Sequence, residues 1–285
     1  MAWPDMYYIN AKGERFTLNG DGYTYTDPQP LRSFSWDYSV SNRLNGYGGR
    51  ASGFARRPRT IELEVRMRGE VGNIADFKTR MNRFHAVADA DCIDETPGRL
   101  YVGSQYITCY LAVSGSIDNN ASFTWYAYRK VTVLAVEPYW CTDVTTIYNV
   151  KDSTQDTTGK KFDLRYPYRY NTGLSSSVLL NTHYASCPAV ITIYGPTSNP
   201  AVVINGVIYN VDVQVGASER LVIDQTSSEI YTVNSAGQKT NVFGKRNKEY
   251  DIFGRIPAGE IPISYDGTFK MAITLVKQRS ELEWV

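Results

Sequence analysis

The clearest hydrophobic rhythm lies at Thr60–Arg68, where Ile61, Leu63, Val65 and Met67 alternate with Glu62, Glu64, Arg66 and Arg68. Successive side chains of a strand point to opposite faces, so this stretch predicts a half-buried antiparallel strand with one apolar and one charged face. Shorter strand signals precede it at Tyr7–Ile9 and Arg15–Leu18, joined by a turn at Lys12–Gly13, and at Phe34–Val40 after the Pro-rich link Asp27–Pro30. The intervening stretch Asn42–Pro58 is rich in glycine and arginine, has no apolar periodicity and reads as a loop. After the strand the period changes. Ile74, Phe77, Met81, Phe84 and Ala88 recur at helical spacing behind Asn73, a capping residue, with Asp76 in the first turn where its charge meets exposed N–H groups. Lys78, Arg80 and Arg83 occupy the remaining face, and His85 is a residue at the stripe's edge.

Strands resume at Arg99–Val102, Gln105–Ser114, Ser122–Ala127 and Lys130–Ala135, with turns at Gly103–Ser104 and Asp118–Asn120, and Glu137–Trp140 closes this half. The polar, aromatic-free stretch Lys151–Lys161 breaks the composition, so residues 1–143 are expected to fold as one domain, 144–164 to link, and 165–285 to form a second. The second half gives strands at Val178–Asn181, Ala189–Tyr194, Ala201–Ile204, Val207–Val213, Glu219–Asp224, Ile230–Val233, Glu260–Tyr265 and Lys270–Val276. Asn205–Gly206 is a strong hairpin signal and Asp266–Gly267 a second. Evenly spaced strands with no helix read as a β-sandwich.

Composition changes this picture in a few places. Tyrosine is abundant, 22 against 10 Phe and 5 Trp, and suits both half-buried sheet positions and protein–protein surfaces. The formal net charge of +1 argues against a general nucleic-acid or anionic-membrane binder. No 18-residue apolar run and no signal-peptide pattern occur, so synthesis in the cytosol with no membrane partner is expected. Cys92, Cys109, Cys141 and Cys187 match no zinc spacing and are expected to be buried small hydrophobes, Cys92 and Cys109 being the pair to check for proximity.

Candidate chemistry is thin. His85 and His183 stand far apart, and neither a nucleophile elbow nor a His-Glu-x-x-His pattern is present. The stretch Asn45–Arg50 is glycine-rich but lacks the spacing and the Lys-Ser/Thr of a phosphate cradle. Asp94, Glu95, Asp212, Asp224 and Glu229 read as exposed carboxylates at strand ends and in loops, with nothing to set a glycosidase pair. No catalytic, cofactor-binding or metal-binding residue is therefore expected. The arginines between Arg43 and Arg68 are more informative. Arg50, Arg56, Arg57 and Arg59 are candidates for an interface with carboxylates and carbonyls of a neighbour; a solvated loop or contact with passing phosphates are the other readings.

Five stretches, in order, resemble the distal tail proteins of long, non-contractile-tailed phages infecting Gram-positive bacteria. They are Gly53–Arg59 leading into Thr60–Arg68, the helix Ile74–Ala88, Pro97–Gly103, Lys130–Val133 running to Trp140, and Ile193–Ala201 with Gly216–Asp224 after it. The resemblance implies a mainly β protein: a tube-like β-sandwich or split barrel with one helix, then a galectin-like β-sandwich projecting outward. It further implies a hexameric ring at the distal end of the virion's tail, joining the major tail tube protein and tape-measure protein to tail-associated lysin or receptor-binding components. DNA would pass through that ring without sequence-specific binding. No enzyme activity is implied. A lumen face could be supplied by Glu62, Glu64, Arg66 and Arg68, whose mixed charges would not hold DNA; the competing reading makes them the solvated outside of the sheet. The alternative function, a carbohydrate-binding adhesion module, would need an exposed aromatic platform, and the one Trp of residues 165–285 is Trp284.

Overall fold

The computed structural model describes residues 5–20, 22–25, 27, 29–32, 35–44, 46–117, 126–150 and 175–283. Phe34, the turn Asp118–Asn120, the start of the expected strand Ser122–Ala127, the linker stretch 151–164 and Trp284 lie outside these. The fold is mainly β. The chain forms two compact units, one of Met1–Thr142 with Gln278–Val285 and the other of Asp143–Lys277.

The first unit carries β1 (Met6–Ile9), β2 (Arg15–Thr17), β3 (Tyr23–Tyr25), the short helix α1 (Gln29–Arg32), β4 (Asp37–Asn42), β5 (Gly49–Ala55) and β6 (Arg59–Arg68). The helix α2 (Ile74–Ile93), β7 (Gly98–Val102), β8 (Gln105–Ile117), β9 (Tyr126–Ala135) and the start of β10 (Trp140–Tyr148) follow. Two antiparallel sheets share one long strand. Through Gln105–Cys109 strand β8 pairs with β7, and β7 with β1 and β1 with β2. Through Tyr110–Ile117 it pairs with β9, which pairs along its whole length with β6, and β6 with β3. The expected strands Ser122–Ala127 and Lys130–Ala135 thus belong to one strand over the described part. The alternation of β6 is as the sequence predicts, with Ile61, Leu63, Val65 and Met67 buried and their neighbours exposed.

Helix α2 is capped by Asn73, whose side chain accepts from the Asp76 N–H at 3.0 Å. It runs beyond Ala88 to Ile93 and buries Met81, Phe84, Val87, Ala88 and Asp91. Ile74, expected on the apolar stripe, is exposed; the buried stripe starts later and takes Val87 and Asp91 instead. Cysteines 109, 141 and 187 are buried as expected, but Cys92 is exposed near the end of α2 and forms no disulfide with Cys109.

The second unit continues β10 through Tyr148, which is buried in that unit's core, so the expected linker begins inside a strand. It adds β11 (Ser175–Asn181), β12 (Ala189–Tyr194), β13 (Thr197–Ser198), β14 (Ala201–Ile204), β15 (Val207–Asn210) and β16 (Gln214–Val215). Then come β17 (Arg220–Asp224), β18 (Glu229–Val233), β19 (Lys239–Asn241), β20 (Gly259–Tyr265) and β21 (Lys270–Arg279). One sheet has the order β11-β20-β14-β15 and another contains β19-β18-β17-β12-β21. Leu179, Val202, Ile204, Ile261 and Ile263 of the first pack with Ile191, Ile193, Leu221, Ile223 and Ile273 of the second, the two-faced core of a sandwich. Asn205 and Gly206 both have positive φ (51° and 80°) and join β14 to β15 with Ile204 facing Val207, as a primed hairpin turn requires. Asp266–Gly267 does not make a hairpin. Strand β20 pairs with β11 and β14 while β21 pairs with β12, so that turn carries the chain from one sheet to the other.

The domain expectation needs one correction at the C-terminus. Residues 278–285 belong to the first unit, because Leu282 is buried in its core and Gln105 holds the Glu283 backbone. The Glu283 N–H donates to Gln105 Oε1 at 3.0 Å, and Gln105 Nε2 donates back to the Glu283 carbonyl at 3.4 Å.

Candidate functional site

Among the described residues no group of three or more His, Cys, Asp or Glu could hold a metal ion. No described helix is long and apolar enough to cross a membrane. A buried polar cluster in the first unit is structural. The Tyr8 hydroxyl donates to Asp91 Oδ2, and Asp91 Oδ1 accepts from the Ala11 N–H at 2.9 Å. Burial first, and the bond to Asp91 second, push the Tyr8 phenol far above its ordinary range. The surfaces of the first unit offer more.

The stretch read as a glycine- and arginine-rich loop is a β-hairpin arm. Among the described residues strands β4 and β5 pair only with each other, and every residue of both is exposed. At the tip the Arg43 N–H reaches the Gly48 carbonyl at 3.1 Å and the Gly46 N–H the Arg43 carbonyl at 3.0 Å, with positive φ at Gly46 and Gly48. These are two of the three glycines of Asn45–Arg50, and they serve the turn, while Gly49 opens β5. The arm bears large apolar side chains in the open: Tyr38, Val40, Leu44, Tyr47 and Phe54. The Phe54 ring lies 5.7 Å from Tyr38 and 6.5 Å from Trp36. The alternation of Trp36, Tyr38 and Val40 was the available signal for the first strand. The second, Gly-Arg-Ala-Ser-Gly-Phe-Ala, has almost none because it faces no core.

The four candidate arginines divide. Arg50 lies exposed in β5. Arg56 sits between two rings, 4.3 Å from Trp36 and 4.5 Å from Tyr139, and donates to the Pro138 carbonyl at 3.2 Å. Arg57, well exposed, pairs with Asp37 at 2.9 Å. Arg59 donates to the Pro30 carbonyl, and burial lowers its guanidinium below its ordinary value. Three of the four therefore gather at the root of the arm, and Arg56 and Arg59 are tied to other residues of this chain.

The charged face of β6 is one continuous surface with β9. Glu62 faces Thr132, Glu64 faces Lys130, Arg66 faces Tyr128 and Arg68 faces Tyr126. The Arg66 guanidinium is 5.9 Å from the rings of both Tyr126 and Tyr128, at the outer reach of a cation–π contact. In the second unit Tyr184 and Phe243 are exposed aromatics among the described residues. Phe243 is stacked on Phe253 at 5.7 Å and carries Arg246 over its ring at 3.8 Å.

No protein-family model and no curated protein matches the chain. Solved structures do match it along its length. The Dit protein (gp 19.1) of phage SPP1, described as a paradigm of the hub adsorption apparatus in phages infecting Gram-positive bacteria, aligns over 98% of this chain and 100% of its own at 13% identity, with a TM-score of 0.59. A chain of the phage P2 baseplate in its activated conformation with Ca aligns over 99% and 100% at 12% identity, TM-score 0.64. The same baseplate with Sr gives 11% identity and the same TM-score, 0.64. At these identities the likeness is one of fold, and it embraces both units.

Proposed function

We propose that this chain is a non-enzymatic structural protein of a phage tail's distal end, a distal tail protein whose copies close into a hexameric ring. The observation that carries this reading is the arm. A lone two-stranded ribbon is marginal in water, and one that holds Leu44, Tyr47, Tyr38 and Phe54 in solvent gains when another protein covers them. The full-length likeness in fold to hub and baseplate chains supplies the setting. A ring uses heterologous contacts that close by rotation, so each subunit presents two complementary surfaces; the arm is one of them. In this reading the ring joins the tail tube and tape-measure proteins to lysin or receptor-binding components, the second unit is galectin-like, and DNA passes through the ring. The Glu62, Glu64, Arg66 and Arg68 face lines that channel, where paired opposite charges leave little counterion release to grip phosphates. Negative-stain imaging of the purified protein tests the reading directly. Six-fold rings with a central hole are expected, and a chain that stays monomeric at every concentration would refute it.

A further inference from the structure

Three hollows of the second unit run into one another. The first, of about 970 Å³, is lined by Ser198, Asn199, Asp212, Gln214 and Lys245 among others. The second, about 580 Å³, shares Ser198 and Gln214 with it and continues past Gly216 to Glu219. The third, about 340 Å³, shares Glu219 and runs on to Arg220, Ser235 and Tyr194. The shared residues make them one continuous groove. Its walls are fixed by backbone bonds between loops. The Asn199 N–H donates to the Val213 carbonyl at 2.9 Å, the Asp212 N–H to the Lys245 carbonyl at 2.9 Å, and the Gly195 N–H to the Glu219 carbonyl at 3.0 Å. Gly195 allows the closest approach, since a Cβ there would run into the Gly216 carbonyl. A groove built this way is preformed, so a ligand loses little affinity to ordering it.

The chemistry of the lining narrows the occupant. Asp212 and Glu219 stand against Lys245, Arg246 and Arg220, an excess of one positive charge and too little to hold a polyanion. The valines of the lining, Val213, Val215 and Val233, are nearly buried, so the groove lacks the apolar seats that a peptide strand or helix uses for its side chains. What it offers along its length are groups that both donate and accept, the carboxamides of Asn199 and Gln214 and the hydroxyls of Ser198 and Ser235. We propose that this groove binds a linear, uncharged glycan chain. Each sugar hydroxyl is at once a donor and an acceptor, and a glycan repeats such groups along its length as the groove does. The Tyr194 ring adds an apolar surface with a polar tip, suited to the C–H side of a sugar. The site lies wholly in the second unit and is independent of the ring reading.

Isothermal titration calorimetry of the full chain with cellohexaose, maltohexaose and chitohexaose, each beside its own disaccharide, tests the proposal. At least one hexasaccharide should bind at least tenfold tighter than its disaccharide, because the longer chain reaches more than one hollow. Asp212→Ala should weaken that binding about tenfold, the scale of one hydrogen bond to a charged group, and Gln214→Ala about threefold. Both side chains are exposed, so thermal unfolding of the two variants should match that of the unaltered chain and show that any loss is one of binding. The proposal is overturned if no hexasaccharide binds, if hexasaccharide and disaccharide bind equally, or if neither substitution weakens the binding. Binding of dextran sulfate without binding of any hexasaccharide would overturn it too, in favour of a general anion surface.

Discussion

Asp91 sits on the buried stripe of α2 among Phe84, Val87 and Ala88, an acid where helical periodicity calls for an apolar residue. Its partners are far away in sequence, Tyr8 and the Ala11 N–H on the β1 side, so nothing local announces them. Gly98 completes the arrangement. A Cβ there would run into the Tyr8 hydroxyl and ring and into Asp91. Gly98→Ala should therefore destabilise the first unit by about 3 kcal/mol, combining overpacking with a disturbed buried hydrogen bond. Gly244→Ala, whose added Cβ would meet nothing within 4 Å, should change stability by less than about 0.5 kcal/mol. Urea unfolding of both variants checks the contrast; equal midpoints would sink the steric account. Residues of this kind are illegible in sequence because their demand comes from tertiary neighbours.

Elements were legible in proportion to how fully one face meets a core. Strand β6 declares itself because Ile61, Leu63, Val65 and Met67 are all buried on one face. The hairpin at Asn205–Gly206 is equally plain because its turn is encoded by two adjacent residues. The arm is the opposite case: β5 has no buried face, so the Gly-Arg-rich sequence carries no rhythm. Asp266–Gly267 shows a further limit, since a turn signal specifies a reversal and not which strands pair. The arginine cluster was visible as composition, but the rings that hold Arg56 come from Trp36 and Tyr139 and only folding joins them. At this scale the expectation concerns the arm tip. Leu44→Ser with Tyr47→Ser removes apolar groups already in water, so thermal stability of the subunit should hold within about 0.5 kcal/mol. Self-association should fall at least tenfold, because burying even one such side chain is worth about 1.5–3 kcal/mol. Analytical ultracentrifugation measures it, and an unchanged association constant would remove the arm from the interface.

For the whole molecule, the sequence locates two β bodies but misplaces a piece of one. The composition break at Lys151–Lys161 comes after the chain has already left the first unit at Thr142, and its return brings Leu282 into the first core from a stretch too short to carry a hydrophobic period. Removing residues 278–285 should strip Leu282 from the first core and leave the buried Gln105 side chain without the Glu283 backbone. The expected loss is about 2–5 kcal/mol, the scale of emptying a buried leucine site, with the second unit unaffected. Hydrogen exchange should accelerate in β7, β8 and β1 and not in β12 or β17. Uniform protection would show that the returning segment is dispensable and that residues 1–143 suffice.

Because the chain leaves the first unit at Thr142 and re-enters it at Gln278, its completion is also a matter of time. A ribosome adding roughly 5–20 residues per second spends about 7 to 27 s on the stretch between those points. Throughout that interval the first unit's Leu282 seat is empty, while the second unit emerges whole and is free to fold. A translation product that stops between Lys277 and Leu282 carries every residue of the second unit and an unfinished first one. Only copies that extend past Leu282 can seat it in the first core, so in the ring reading a product cut short before it would offer its neighbours an unfinished first unit.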